Sequence, residues 1–218
     1  MELFAHQEEI IQAIGANFIT SISAPRHSGK TVAAVRAAFQ LGGKVLYVGR
    51  GNAAVSAAMQ LALEWGGDRA GDSVIHENGV IHFKSYTKSG ARGMALNAIL
   101  FDDADSIGAD ILAEYVPTVC ASKDPHIAAF SVAPDRGLAE HLHLNPDKVL
   151  RWQGLDPKSA NPMAALIGEG MFLRAERVLS RADYRREYLG LAEGEYDELV
   201  QNGIAKVIAA QLDGQVLA

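Results

Sequence analysis

The chain predicts an α/β fold, a parallel sheet with helices on both faces, and three observations carry that prediction. Short apolar strands alternate with helical segments, the pattern of strands buried on both sides. The string Ala24-Pro25-Arg26-His27-Ser28-Gly29-Lys30-Thr31 lies between the first such strand and a helix. Ala98-Ile99-Leu100-Phe101 is another apolar strand, and it ends in Asp102-Asp103.

In chain order, Leu3 to Ile14 has the spacing of an amphipathic helix. Phe18-Ile19-Thr20-Ser21-Ile22-Ser23 is a short β-branched, apolar strand. Thr31 to Leu41 is alanine-rich and stops at Gly42-Gly43, as a helix does. Lys44 to Val48 is a second strand, followed by a helix from about Asn52 to Trp65 that breaks at Gly66-Gly67. Val74 to Phe83 reads as a hairpin turning on Asn78-Gly79. His76 and His82 alternate with its apolar residues and form its polar face, with a metal pair as the alternative. After the strand 98–101, a helix is expected from Asp110 to Val116, ending before Pro117. Ile127 to Val132 and Val149 to Trp152 complete the strands. From Pro162 the pattern is helical, and Ser180 to Asp183 has the spacing of a cap for a helix that stops at Gly190. One further helix is expected from Ile204 to Leu212.

The string 24–31 has the chemistry of a phosphate-binding loop, with Ala24 at the usual first glycine. Successive backbone N–H groups wrap an anion, and Gly29 lets the main chain approach without a Cβ in the way. Lys30 can reach β- and γ-phosphates as a point charge, and the Thr31 hydroxyl can ligate Mg²⁺. The following helix would aim its free N–H groups at the phosphates. Such a string arises by chance in about 2% of chains this long, so ATP with Mg²⁺ is the expected ligand. A triphosphate site also needs a strand-end carboxylate for the metal and a group to orient the attacking water. Asp102 is assigned to the metal and Asp103 to the water; strand-end acids also serve as helix caps, as Asp105 could before Ser106.

Composition limits the rest. With 218 residues, 49% of them hydrophobic, the chain can bury one substantial core plus a short appendage. A single cysteine, Cys120, excludes an internal disulfide framework, fits a reducing cytosol and is expected to be a small buried hydrophobe. A basic leader followed by an apolar stretch and a run of 18 apolar residues are both lacking, so the reading is cytoplasmic with no membrane partner. A net charge of −6 argues against a nucleic-acid coat but leaves room for a local basic track.

Phe101-Asp102-Asp103-Ala104-Asp105-Ser106 resembles the acidic element of additional-strand P-loop ATPases. Together with the loop and with Ser131-Val132-Ala133-Pro134-Asp135, it resembles the ATPase domain of phage large terminase subunits, the motors that package DNA. Phe4-Ala5-His6-Gln7 is similar to that family's adenine-reading motif. Arg26 is similar to its arginine-bearing loop variant, and Tyr184 to Gly190 to the string that closes its ATPase region. The resemblance implies a RecA-like core over residues 1–190 and a short tail or linker over 191–218 without a nuclease domain. It implies that Gln7 contacts adenine, that Arg26 stabilises γ-phosphate charge or reports its loss, and that Ser131 to Asp135 couples hydrolysis to movement. Arg92 resembles an arginine that reaches into the next subunit's site, where such a finger accelerates hydrolysis by roughly 10³ to 10⁵.

The implied partners are double-stranded DNA, a portal protein, a small terminase subunit and a nuclease subunit or domain. The implied assembly is a homo-oligomeric ring when active, with a monomer in solution as the alternative. Lys84, Lys88 and Arg92 are candidate DNA contacts or solvated loop charges. Two features depart from the family pattern. Asp103 stands where terminases usually have glutamate, and a shorter reach that misplaces the water can cost ~100-fold in rate. The acids after Gly190, among them Glu193, Glu195 and Asp213, are too scattered for a two-metal nuclease. A nucleotide-dependent regulatory module and a helicase-like ATPase with weak turnover are the alternative functions.

Overall fold

A computed structural model describes residues 2–86 and 90–203. The helix expected at Ile204 to Leu212 and the side chain of Lys88 lie outside them. Helix α1 (Ala5–Ala16) leads into β1 (Ile19–Ser23), followed by α2 (Lys30–Leu41), β2 (Gly43–Gly49) and α3 (Asn52–Glu64). Next come β3 (Asp68–Ala70), β4 (Ser73–His76), β5 (Gly79–Ser85), β6 (Ala98–Phe101) and α4 (Leu112–Val119). Strand β7 (His126–Ser131), α5 (Gly137–Leu144) and β8 (Lys148–Arg151) complete the sheet region. Helices α6 (Pro157–Ala160), α7 (Ala164–Ile167), α8 (Glu169–Val178) and α9 (Arg181–Leu189) follow. Residues 195–203 are helical as well.

The described strands form one sheet in the order β3-β4-β5-β2-β6-β7-β1-β8. From β5 to β8 every pairing is parallel, whereas β3 and β4 add antiparallel at one edge, so the sheet is mixed and not wholly parallel. Strand β7 lies between β1, which feeds the loop 24–31, and β6, which ends at Asp102. It is the additional strand that the RecA-like reading requires.

Alternation along the strands divides the interior in two. Val45 and Tyr47 of β2 join Ile22, Leu100 and Phe130 under α1, α2 and α3. Leu46 and Val48 join Ile99, Phe101 and Ala129 under α4 and α5. A third, small cluster of Ala160, Leu189 and Leu191 seats α9 beside the sheet.

Most expected elements are present within a few residues, with the following differences. The helix expected to end before Pro117 instead runs through it to Val119, after a 3-10 turn at Ala109–Ile111. An interior proline costs about 3 kcal/mol, but Tyr115 and Val119 on either side of it are fully buried. Strand β3 and helix α5 were not anticipated. Cys120 is exposed rather than a buried hydrophobe, because it lies just past the end of α4. The hairpin forms, but His76 pairs with Gly79, so its turn is Glu77-Asn78, one residue earlier than expected, and Gly79 opens β5. His82 stands opposite Ser73, which puts it on the other face of the ribbon from His76, so the two neither share a polar face nor converge on a metal. His82 Nδ1 lies 2.8 Å from Ser73 Oγ, and the His76 ring packs at 4.5 Å on Phe39. No described helix is long and apolar enough to cross a membrane.

Candidate active site

The loop 24–31 leaves the end of β1 beside the end of β7, where Ala24 N–H donates to the Ser131 carbonyl at 3.1 Å. Among the described residues only His27 (φ 63°) and Asp103 (φ 53°) are non-glycine residues at positive φ. One lies in the loop and the other at the strand-end acids, and such backbone strain clusters where function over-determines geometry. Gly29 is required twice over. It has φ 79°, and a Cβ there would run into Gln7 Nε2 and meet Met163 Sδ at 3.0 Å.

Side chains from distant elements hold the loop's carbonyls. His6 Nε2 lies 2.8 Å from the Ser28 carbonyl, Gln7 Nε2 donates to that of Gly29 at 3.2 Å, and Asn161 Nδ2 donates to that of Arg26 at 2.7 Å. Lys30 Nζ donates to the carbonyls of Ala24 and Pro25 at 2.6 and 2.9 Å. Burial lowers the Lys30 pKa, against the opposing pull of Asp102, Asp103 and Asp105. Burial, followed by the charges of Arg26 and Lys30, lowers that of His27.

The strand-end acids meet the loop across β7. Asp102 Oδ2 accepts from Thr31 Oγ1 at 2.6 Å and from Tyr47 OH at 2.5 Å. Asp102 Oδ1 accepts the N–H of Asp103 at 3.1 Å. Tyr47 is fully buried, and burial together with the Asp102 charge pushes its phenol well above the ordinary range, so it remains a donor. Asp103 is pushed up by burial, then by Asp102 and Asp105, with Lys30 and Arg26 pulling it down. Neither acid caps a helix: the 3-10 turn Ala104–Ser106 has no side-chain cap, and the Asp105 carboxylate turns to Arg186 instead.

Among the described residues no group of three or more His, Cys, Asp or Glu could by itself hold a metal. The donors do suit Mg²⁺ carried in with a nucleotide, which takes one or two protein oxygens plus phosphates and water. Ser28 Oγ is buried in the loop without a hydrogen-bond partner.

The remaining candidates divide. Arg26 lies in the loop and is paired with Glu187 of α9. Of the segment Ser131-Val132-Ala133-Pro134-Asp135, Ser131 accepts the Ala24 N–H at the root of the loop, whereas the Ala133 carbonyl and Asp135 are held by Arg186. Gln7 is only 2% exposed, with Oε1 taking Phe4 N–H at 3.0 Å and Nε2 on Gly29. Contact with adenine would have to use its second N–H or second lone pair. Arg92 lies outside this cluster, paired with Glu114 at 2.9 Å and 73% exposed. Lys84 is turned to the Gly90 carbonyl at 2.7 Å. Sequence reasoning missed Tyr47 and Asn161, and it noted Arg186 and Glu187 only within the string 184–190, without their bonds.

No protein-family model matches the chain, and no curated protein matches it by sequence. Solved structures do. The large terminase of bacteriophage HK97 superposes with a TM-score of 0.68 at 16% identity, over 88% of this chain and 51% of that one. The large terminase of a thermophilic bacteriophage, solved in complex with ADP, gives 0.65 at 12% identity, over 87% and 53%. The isolated ATPase domain of the Thermus phage P74-26 large terminase gives 0.52 at 15% identity, over 82% and 91%. The chain thus spans about half the length of the first two terminases and nearly all of an isolated ATPase domain. It has the fold of the phage large-terminase ATPase domain.

Proposed function

We propose that this chain binds and hydrolyses ATP and drives translocation of double-stranded DNA into a capsid, together with a portal protein, a small subunit and a nuclease subunit or domain. The observation that carries the proposal is the 2.6 Å bond from the Thr31 hydroxyl to Asp102, directly beside the loop that holds Lys30. It joins a phosphate-loop hydroxyl to a strand-end carboxylate, the two protein ligands a nucleotide-borne Mg²⁺ uses.

In this reading the loop N–H groups and Lys30 hold the β- and γ-phosphates. Thr31 and Asp102 hold Mg²⁺, which when bound neutralises phosphate charge. Tyr47 fixes the orientation of Asp102. Asp103, ionised, orients the attacking water. The ADP complex of the thermophilic phage's terminase supports a nucleotide in this fold. A ring would let Arg92, exposed and outside its own site, act on a neighbour.

Equilibrium binding of ATP and phosphate release with and without duplex DNA test the proposal. Wild type should bind ATP with Mg²⁺ and turn it over, faster with DNA, and Lys30→Ala should lose both. Tight binding with no turnover under any condition would replace the motor with a regulatory module. The raised pKa of Asp103 is the observation that favours that second reading.

A further inference from the structure

The Asp102 carboxylate is largely committed by the protein itself. A carboxylate has about four lone-pair positions. On Oδ2 the Tyr47 phenol takes one at 2.5 Å and the Thr31 hydroxyl takes a second at 2.6 Å. On Oδ1 the N–H of Asp103 takes a third at 3.1 Å. Among the described residues no other group donates to it, so one position, on Oδ1, is left for a ligand. The main chain gives no slack. Asp102 N–H donates to the Val48 carbonyl at 2.9 Å, and β2 and β6 are paired up to Val48 and Phe101. The phenol is fixed as well. Tyr47 is fully buried under α1, α2 and α3, with its ring 5.4 Å from that of Phe83. A buried phenol must find a partner, and this one has Asp102.

We propose that Tyr47 is a specificity-determining residue for the cation: by closing Oδ2 it favours Mg²⁺ over Ca²⁺ beside the nucleotide. Ca²⁺ gathers about six to eight oxygens and readily grips a carboxylate by both at once. Mg²⁺ is satisfied by a single carboxylate oxygen, keeps several waters and demands octahedral order. With two hydroxyls on Oδ2, Asp102 offers one oxygen and no more. The Thr31 hydrogen is committed to Asp102 too, which leaves the Thr31 oxygen to serve the cation with its lone pairs. Without the phenol, Oδ2 regains a lone pair and the carboxylate can present both oxygens. Tyr47 acts only through Asp102 and is therefore a positioning residue. This role rests on the nucleotide site proposed above and adds to it the choice of cation.

The test uses the 218-residue chain and ATP-γ-S, titrated with Mg²⁺ alone or Ca²⁺ alone and read as nucleotide binding, not turnover. Each cation's own affinity for the nucleotide is common to wild type and variant, so the ratio of half-saturating concentrations reports the protein. Wild type should saturate at a lower concentration of Mg²⁺ than of Ca²⁺. Tyr47→Phe keeps the ring against Phe83 and removes only the hydroxyl. It should raise the Mg²⁺ requirement roughly tenfold, as the loss of a partner behind a metal ligand does, and the Ca²⁺ requirement by less than about threefold. A packing role would weaken both cations alike, or neither. If the variant keeps the wild-type ratio, the role of Tyr47 is overturned and the nucleotide site stands. Wild type alone gives a second arm: saturation by Ca²⁺ at the concentration that Mg²⁺ needs overturns the proposal whatever the variant does. If wild type binds ATP-γ-S with neither cation, the site itself is overturned, and the role of Tyr47 with it.

Discussion

Asp103 combines a left-handed backbone with a carboxyl raised first by burial and then by its acidic neighbours. An orienting carboxylate works only when ionised, so a raised pKa carries the acid limb of turnover upward. As pH falls, kcat should therefore begin to drop at a higher pH than it would with an ordinary aspartate, at about 3.9. A kcat profile against pH checks this, and Asp103→Asn should remove turnover across the whole range. At this scale the sequence shows what is contiguous. Gly29-Lys30-Thr31 and Asp102-Asp103 are each a few adjacent residues with strict chemistry, and the fold brings them together as expected. Tyr47 was hidden because a tyrosine among Val45, Leu46 and Val48 looks like another core side chain. Its only signal was the phenol itself, which when buried must find a partner. Asn161 gave no signal and Glu187 was visible only as part of the string 184–190, since their bonds to Arg26 span most of the chain.

Helix α9 shows how a local rule and a long-range contact meet in one element. Ser180 Oγ accepts the Asp183 N–H at 3.1 Å and donates to the Asp183 carboxylate at 2.6 Å, so the cap expected from the spacing is the one that forms. Removing it with Ser180→Ala should cost about 0.5–2 kcal/mol, read as a lower midpoint in denaturant and faster exchange in the first turn of α9. Glu187 lies on that helix, so the same variant should also weaken the hold on Arg26. Helix α4 shows the opposite case. Its proline reads locally as a stop, and burial of Tyr115 and Val119 overrides it, a contest that only tertiary packing decides. From Pro162 the chain was legible as helical, but α6 before it was not, nor was the division of α7 from α8 at Gly168, which has φ 80°.

For the whole molecule, the proposed assembly can be tested by complementation. Lys30→Ala disables its own site but keeps Arg92, whereas Arg92→Ala keeps its own site and lacks the finger. Each alone should be nearly inactive, and a mixture should regain turnover, since an intact site can then face an intact Arg92. Phosphate release measured across mixing ratios checks this, and a flat line would mean that Arg92 acts elsewhere. Alternating strands and helices made the α/β class legible, but the strand order was not. Nothing local marks β7 as the strand that enters between β1 and β6. That insertion sets a dimension of the site. Neighbouring strands lie about 4.8 Å apart, so the roots of the loop and of Asp102 stand roughly 9–10 Å apart, fixed by two ladders of backbone hydrogen bonds. The main chain thus works as a ruler: exchanging a side chain at either edge changes what occurs in the gap, while its width stays the same.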